Sequence, residues 1–437
     1  MISSINGLSS FFDSYAPSMA GPEIRERRLE RMERLLDRLG HPEREYRTYH
    51  VAGSKGKGSV SAFLAALLEG DGRRCGLYTS PHLYSILERF KLPFSFFPEE
   101  LYLSTANMLE ERLKGFSLPE GLGPSVPTTF ELYTAYGYLL FREYGCTDAV
   151  IETGLGGRLD ATNTLSPLAV LLTPIELEHT QVLGNDIRSI ALEKAKIMRP
   201  GVPAFVSLQS FSDASLVFSE EARSIGAPLT FLSDELESLS FDKGRLEARI
   251  SGMDFSLRLS TPSKALGENA LLALLCAAKL SFLTEEGLRL LEKVRLPGRF
   301  ERLSVDGIPV VVDAAHTVQS ARRTKEAFLS LSPEAPALLF SAIEGKDIEG
   351  MLKELVPLFR AVVITSAGNF KRNDPEKVYW TARALFPDAS IYLEKDPDKA
   401  LDLALSLSGS LLIAGSFYMP PEMGKIRRAH ESELERA

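Results

Sequence analysis

A glycine-rich segment at the start of a predicted helix has the residue types that bind a phosphate chain. Residues 53–59 lie between a short apolar strand and a helix whose apolar positions recur with helical spacing. Backbone N–H groups and the positive end of a helix dipole favour an anion at such a turn. A lysine in the turn adds a mobile cation that can follow charge between phosphates. The residues predicted to bind a nucleotide here are Gly53, Gly56, Lys57, Gly58 and Ser59.

The spacing within this segment departs from the usual phosphate-binding loop. That pattern has four residues between its glycines and a hydroxyl residue directly after the lysine. Here two residues separate Gly53 from Gly56, and Gly58 intervenes before Ser59. The generic motif therefore does not match, and the segment taken alone is also consistent with a plain glycine turn. Candidate metal ligands further along the chain favour nucleotide binding.

Three predicted strand ends carry side chains that suit a divalent cation. Ser80 follows the strand that comes after the helix of the glycine-rich segment. Glu152 ends the next buried strand, and His179 follows a strand over 168–172. The carboxyl ends of parallel strands meet at one edge of a sheet, and hydroxyl, carboxylate and imidazole groups around water and phosphate oxygens suit Mg²⁺. A carboxylate at the tip of a buried strand is costly unless it is paired or binds a cation. Ser80 is equally consistent with a turn serine, and His179 with a hydrogen-bonded structural histidine.

One lysine lies at the centre of an apolar helix face. At about 100° per residue, Lys194 is surrounded by the apolar positions of a helix predicted over 187–198. A lysine that faces inward must pair with an anion, lose its charge or be modified. The alternative is a stem that extends past the helix end to solvent. The central position favours a functional role.

The organisation of the chain changes near Leu296. Beyond it, strands alternate strictly with helices, which indicates a second α/β domain with a mostly parallel sheet. The first strand of this domain ends at Asp313, shortly before His316. Its predicted strands cover residues 309–313, 337–341, 361–365, 390–393 and 411–414.

We therefore expect an α/β protein with two domains and a cleft between them. The first, over residues 1–296, is a P-loop-type domain with a mostly parallel sheet and a smaller hairpin region, for which the alternating residues 241–259 are the candidate. The second, over residues 297–437, is Rossmann-like.

Composition excludes several other classes of protein. The 437 residues carry a net charge of −8, which argues against a nucleic-acid binder. No signal peptide is recognisable at the start, and no apolar run approaches the ~18 residues that a membrane span requires. The three cysteines are scattered in apolar contexts, as expected for a reducing compartment. We expect a cytoplasmic monomer that binds neither nucleic acid nor a membrane.

Taken together, the motifs closely resemble the folylpolyglutamate synthase/dihydrofolate synthase family, which belongs to the Mur-type ATP-dependent ligases. The resemblance covers nearly the whole chain, and its longest segment, residues 152–163, is also its most specific. The matching segments are residues 50–59, 78–83, 152–163, 179–180, 193–195, 297–300 and 313–316.

This resemblance implies substrates, cofactors and residue roles. The substrates would be ATP, L-glutamate and a folate or dihydropteroate, whose carboxylate would be activated as an acyl phosphate, with Mg²⁺ as the metal ion. The resemblance assigns Mg²⁺ to Ser80, Glu152 and His179, and nucleotide contacts in addition to those of the loop to Asn269, Arg299 and Asp313. Lys57, Lys194 and His316 would be the catalytic residues. In the family, the lysine at the Lys194 position is typically carbamylated, and His316 lies on the side of the incoming amino acid.

Two departures from the family pattern lie at the phosphate loop and beside His179. Lys55 stands where the family usually has Asn, and Glu178 replaces the usual Asp before His179.

Further departures lie near His316, where Thr317 and Val318 replace the usual Asn-Pro, and before Asn269, where the usual histidine and glutamine are absent. These departures leave open a nucleotide-binding regulator that has lost turnover. A ligase of the wall-peptide type is the other alternative.

Overall fold

The computed structural model describes residues 1–15, 22–368 and 371–436. Two large, mostly parallel sheets and one small antiparallel sheet form its framework, so the expected α/β fold class is confirmed.

Parallel strands alternate with helices in the N-terminal part of the chain, because buried apolar runs are separated by glycine turns and amphipathic segments. The strands are β1 (Arg47–Ala52), β2 (Cys75–Tyr78), β3 (Phe90–Lys91), β4 (Asp148–Glu152), β5 (Ala169–Leu172), β6 (Ala204–Val206) and β7 (Leu229–Phe231). They form one sheet in the order β3-β2-β4-β1-β5-β6-β7, in which only the β2–β3 pair is antiparallel.

Helices cover both faces of this sheet, as parallel sheets require. The helices are α1 (Ile5–Asp13), α2 (Pro22–Leu39), α3 (Lys57–Gly70), α4 (Glu99–Leu113), α5 (Thr129–Tyr144), α6 (Thr180–Leu183), α7 (Ile187–Ala195), α8 (Ser212–Ile225), α9 (Leu232–Glu235), α10 (Lys264–Lys279) and α11 (Glu285–Lys293). One core lies between the sheet and α3, α10 and α11, and another lies beneath α1, α2, α4 and α5.

Helix α3 is more deeply buried than its sequence pattern indicates. A single apolar face was expected, but every residue from Ser59 to Leu68 is buried, because α10 and α11 cover the side that the sheet leaves open. The small side chains of Ser61, Ala65 and Ala66 permit this packing on both sides.

The expected hairpin is a three-stranded antiparallel sheet. Its strands are β8 (Leu236–Asp242), β9 (Arg245–Ile250) and β10 (Met253–Arg258), in the order β10-β9-β8. Within the alternating residues 241–259, Lys243 and Gly244 both adopt positive φ and reverse the chain between β8 and β9, which adds a third strand to the hairpin. Leu246 of β9 packs into the core shared with α3 and α10.

The C-terminal part of the chain forms a second sheet with helices on both faces. Its strands are β11 (Glu301–Val305), β12 (Ile308–Val312), β13 (Pro336–Phe340), β14 (Ala361–Ile364), β15 (Ile391–Leu393) and β16 (Ser410–Ala414), in the order β11-β12-β16-β13-β14-β15. Its helices are α12 (Val318–Ser330), α13 (Ile348–Leu355), α14 (Pro375–Leu385), α15 (Pro397–Ser406) and α16 (Gly424–Arg436). Short 3-10 segments of the whole chain lie at Pro42–Arg44, Ile86–Arg89, Ala161–Thr164, Val356–Leu358 and Pro420–Glu422.

The structure contains a strand, β11, that the expected strict alternation of strands and helices did not include. It pairs antiparallel with β12 at the edge of the sheet, where one face of a strand can remain polar. Glu301, Arg302 and Ser304 therefore gave this segment, after the Pro-Gly turn, the sequence pattern of a loop. The remaining strands of this sheet are parallel.

Two further expectations concern the cysteines and the membrane. Cys75, Cys146 and Cys276 are buried and free. Among the helices of residues 1–15, 22–368 and 371–436, none combines the length and apolar character needed to cross a membrane.

Candidate active site

A cavity of about 550 Å³ lies where the carboxyl edge of the N-terminal sheet faces the start of the C-terminal sheet. Its lining comes from the loops after β1, β2, β4, β5 and β12 and from helices α10 and α12. Most of the site residues predicted from the sequence line it, namely Gly56, Lys57, Gly58, Ser59, Ser80, Glu152, His179, Asn269, Arg299, Asp313 and His316. Two predicted site residues do not line the cavity: Gly53, the first residue of the glycine-rich loop, and Lys194, which donates a hydrogen bond to Gly53 O.

The glycine-rich loop brings backbone groups to the cavity wall. Gly53 and Gly56 both have positive φ, and a Cβ atom on Gly56 would collide with the Asn269 side chain. Gly56 is also the N-cap of α3 and provides no side-chain cap. The first N–H groups of a long helix therefore open toward the cavity, which is an arrangement suited to phosphate oxygens.

Glu152 is a carboxylate at the tip of β4 with little to neutralise it. Its Oε2 accepts a hydrogen bond from the Ser80 backbone N–H at 2.9 Å, and Lys57 Nζ is 4.0 Å from Oε1. Burial raises the pKa of Glu152, and Lys57 opposes that shift. A Cβ on Gly58 would lie 3.3 Å from Oε2, which is a tight contact, so the glycine gives the carboxylate room. This carboxylate could bind a divalent cation, because its partners leave it incompletely neutralised.

His179 lines the same cavity but belongs to a different strand end. It is the N-cap of α6 and has a positive φ of 48°, and burial lowers its pKa, so that the ring is neutral and able to act as a ligand. Among the described residues, no three His, Cys, Asp or Glu side chains cluster as a metal site. The predicted ligand set contains only one carboxylate, one imidazole and one hydroxyl. It provides fewer protein ligands than such a cluster would, and so leaves coordination positions for phosphate oxygens and water.

Lys194 is buried and forms two hydrogen bonds within the chain. Its side chain is 1% exposed, and Nζ donates hydrogen bonds to Gly53 O at 2.8 Å and to Glu178 Oε1 at 3.0 Å. Extension to solvent, the alternative left open by the sequence, is therefore wrong. Burial lowers the pKa of Lys194 to about 8, and Lys57 adds to the shift while Glu178 opposes it. Helix α7 ends at Ala195, three residues earlier than expected.

Lys55 and Glu178, two of the departures from the family pattern, lie beside each other. Lys55 Nζ is 3.8 Å from Glu178 Oε2, so Glu178 lies between two lysines. Burial alone would raise the pKa of Glu178, but Lys194, Lys57 and Lys55 outweigh it and leave the pKa lowered. The extra positive charge on the phosphate loop therefore has a carboxylate next to it.

The C-terminal sheet contributes Asp313 at the end of β12. Its carboxylate accepts hydrogen bonds from the backbone N–H groups of Phe300 and Ala315 and from Thr324 Oγ1, at 2.8–2.9 Å. Burial raises the pKa of Asp313, and Arg299 opposes that shift. Through Asp313, these bonds connect Thr324 of α12 with Phe300, which follows Arg299.

His316 has a defined orientation. Nδ1 lies 2.8 Å from Ala314 O, so Nδ1 carries the proton and Nε2 keeps a free lone pair. Burial lowers the pKa of His316 to about 4, with a further contribution from Lys55, so the ring is neutral at neutral pH.

Direct contacts join the two parts of the chain around the cavity. Tyr84 donates a hydrogen bond to Glu301 Oε2 at 3.0 Å, and its ring stacks on His430 at 4.2 Å. On another side, Arg323 lies 3.6 Å from Glu176. The sequence reasoning did not identify Arg323, since a charged residue on a helix gives no signal of which domain it will meet.

Comparison with known proteins places this architecture in a family. Residues 298–417 match the model of the Mur ligase, glutamate ligase domain. The chain is 32% identical to the dihydrofolate synthase/folylpolyglutamate synthase of Bacillus subtilis (strain 168) over 428 residues, which covers 91% of this chain and 94% of that protein.

Solved structures are similar over almost the whole chain. A Mycobacterium tuberculosis folylpolyglutamate synthase complexed with ADP has a TM-score of 0.84 and 27% identity, and covers 99% of this chain and 98% of that one. The Thermotoga maritima folylpolyglutamate synthase has a TM-score of 0.81 and 26% identity, with 98% and 96% covered. The chain therefore belongs to the folylpolyglutamate synthase/dihydrofolate synthase family.

Proposed function

We propose that this chain is an ATP-dependent ligase that joins L-glutamate to a carboxylate of a folate, and also to that of dihydropteroate. The observation that carries this proposal is the single cavity bounded by the glycine-rich loop and Glu152 on one side and by Arg299, Asp313 and His316 on the other. A nucleotide and an acceptor carboxylate can meet there, and the curated relatives named above supply the substrate class.

The residues present fit a nucleotide. The open N–H groups of α3 and the ammonium of Lys57 suit the triphosphate, and the close approach of Gly56 to Asn269 places an amide beside the loop. Arg299 and Asp313 would complete the nucleotide site from the other side of the cavity.

The residues also fit a divalent cation. Ser80, Glu152 and His179 would hold Mg²⁺, whose chemistry is to neutralise and polarise phosphate oxygens. Lys194 lies behind these residues, where a carbamate on its Nζ would add an anion next to the phosphate loop. Burial favours that modification because it lowers the pKa of the amine to about 8, and the neutral amine is the reacting form.

The proposed reaction has two steps. A carboxylate oxygen of the acceptor attacks the γ-phosphorus of ATP, the bond to ADP breaks, and an acyl phosphate forms. The glutamate amine then attacks the acyl carbon, the carbon–oxygen bond to phosphate breaks, and an amide forms with loss of a proton. The free Nε2 of His316 is available to hydrogen-bond the incoming amine. Enclosure between the two sheets protects the acyl phosphate from water.

A phosphate-release assay tests this function. Phosphate is expected from ATP only when L-glutamate and either tetrahydrofolate or dihydropteroate are both present, and mass spectrometry should find the acceptor heavier by one glutamyl residue. Tight ATP binding without such release would instead support the regulator, and release with a UDP-muramyl substrate would support a wall-peptide ligase.

Domain division and assembly complete the proposal. We place the domain boundary between residues 296 and 297, because α11 ends at Lys293 and β11 begins at Glu301. We propose that the protein is a monomer, and the net charge of −8 supports the absence of nucleic acid. Size-exclusion chromatography with light scattering should give the mass of one chain, and a cytoplasmic location is consistent with the free cysteines.

Substitution of Gly56 by alanine should weaken ATP binding specifically. A side chain at this positive φ is strained by about 1–2 kcal/mol, and its Cβ would displace Asn269. The KM for ATP is expected to rise about tenfold, which corresponds to about 1.4 kcal/mol. Gly201→Ala is the matched control, because Gly201 also has a positive φ but has nothing within 4 Å of its Cβ position. Equal KM values for the two variants would contradict the proposed role of the loop.

A further inference from the structure

Lys91 places an ammonium group at the cavity from an unusual position. It lies on the edge strand β3, where antiparallel pairing puts it opposite Leu77. Opposed residues of an antiparallel pair share a face, and Leu77 faces the core beside α3. Lys91 and Leu77 both line the cavity, together with Ala62 of α3.

Lys91 has no partner within the described parts of the chain. Neither a hydrogen bond nor an ion pair reaches its Nζ there, whereas Lys55 and Lys57, the other two described lysines at the cavity wall, each lie within 4.0 Å of a glutamate oxygen. Burial lowers the pKa of Lys91, although Glu88 opposes this shift. Because Lys91 is partly buried at the cavity wall and has no direct contact with an acidic side chain, an anionic ligand in the cavity could pair with it.

The acidic residue nearest in sequence is already occupied. Glu88 accepts hydrogen bonds from the backbone N–H groups of Leu83, Tyr84 and Ser85 at 2.7–2.8 Å. These bonds close the turn between Ser80 and β3 and fix the carboxylate there. Glu88 therefore shapes the loop and leaves Lys91 available to a ligand.

The strand ladder relates Lys91 to the proposed reaction centre. Its partner Leu77 precedes Ser80 by three residues, and because β2 ends at Tyr78 their Cα atoms are at most about 10 Å apart. An acceptor whose reacting carboxylate lies near Ser80 and Glu152 could therefore extend a second anionic group toward Lys91.

The two acceptor classes differ in this second group. A folate ends in a glutamyl residue whose γ-carboxylate reacts while its α-carboxylate remains charged. Dihydropteroate ends in a benzoate, which reacts and leaves no other carboxylate. A cation at some distance from the reaction centre can therefore distinguish them.

We propose that Lys91 binds the α-carboxylate of the terminal glutamyl residue of a folate acceptor and thereby favours folates over dihydropteroate. This inference rests on the proposed ligase function and adds a specificity-determining residue to it. Lys91 takes no part in phosphoryl transfer.

The test is Lys91→Met, which keeps the length of the side chain and removes its charge. The kcat/KM for tetrahydrofolate is expected to fall about 10- to 100-fold through KM, the range for a lost hydrogen bond to a charged group. The value for dihydropteroate should change by less than about threefold. Lys91→Arg should retain most of the preference, and Lys353→Met, at an exposed ion pair on α13, should leave both values unchanged.

An altered substrate gives a second readout. When the α-carboxylate of tetrahydrofolate is converted to an amide, the kcat/KM of the unmodified enzyme should fall by the same factor. The kcat/KM of Lys91→Met should be almost the same for the amide and for tetrahydrofolate. The proposal would be overturned if the kcat/KM of Lys91→Met fell equally for both acceptors. It would also be overturned if the KM for L-glutamate rose with both acceptors. These outcomes leave the ligase function intact, whereas failure of the unmodified enzyme to add glutamate to either acceptor would refute that function itself.

Discussion

Replacement of Lys57 by methionine is expected to lower kcat about 10³-fold, equivalent to about 4 kcal/mol. Lys57 Nζ donates to Gly53 O at 3.1 Å and lies 4.0 Å from Glu152, so it stands between the phosphate loop and the proposed metal site. Phosphoryl transfer depends mainly on positioning and charge stabilisation, which this cation supplies. Single-turnover measurement of acyl transfer with saturating ATP gives the relevant rate.

Two controls separate this effect from misfolding. Lys57 is the first residue of α3 and is partly exposed, so the thermal unfolding midpoint of Lys57→Met should stay close to that of the unmodified chain. Lys57→Arg keeps the charge but changes its geometry, and should recover only part of the rate. A kcat within about threefold of the unmodified value in Lys57→Met would contradict the role given to this lysine.

Replacement of Lys194 by alanine is expected to lower kcat about 10²- to 10³-fold. Two contacts are lost at once: the hydrogen bond to Gly53 O connects α7 to the phosphate loop, and the one to Glu178 connects α7 to the segment after β5. If the active form carries a carbamate, the change also removes an anion next to the metal site. Steady-state phosphate release, dependent on folate and L-glutamate, measures the loss.

Chemical rescue distinguishes the carbamate from a structural role. The alanine variant leaves space beside Glu178, and a short-chain carboxylic acid such as acetate should restore part of the activity by supplying the missing anion. The Lys57→Met variant lacks a cation, so acetate should give no rescue there. Normal turnover by Lys194→Ala would contradict the proposed role, and loss of activity without rescue would indicate that the amine acts as a structural partner of Glu178.

The fold class could be predicted because its main features are local. Buried apolar strands, glycine turns and amphipathic helices alternate in the sequence, and parallel strands place their carboxyl ends at one edge. This rule alone suggested that Ser80 and Glu152 would be neighbours, and in the structure the Ser80 N–H donates to the Glu152 carboxylate. Lys194 could be singled out because an inward-facing lysine conflicts with its apolar surroundings.

Other features depend on contacts that the local sequence does not encode. The Glu178 carboxylate lies between Lys55 and Lys194, which are distant in sequence and meet only after β1, β5 and α7 assemble. The segment of edge strand β11 contains polar residues typical of a loop, and it forms a strand because it pairs with β12. Lys91 gave no signal, because a lysine on a short strand is ordinary until its register and lack of a partner are known.

The central claim is that strand ends of the N-terminal sheet hold a metal–triphosphate that faces the C-terminal sheet. The most direct test is a crystal structure with Mn²⁺ and a non-hydrolysable ATP analogue, in which anomalous scattering locates the Mn²⁺ ion. The expected result is a Mn²⁺ peak within about 2.0–2.4 Å of ligand atoms of Ser80, Glu152 and His179, with the phosphates against residues 53–59. Peaks on other surfaces, or phosphates distant from that loop, would contradict the account.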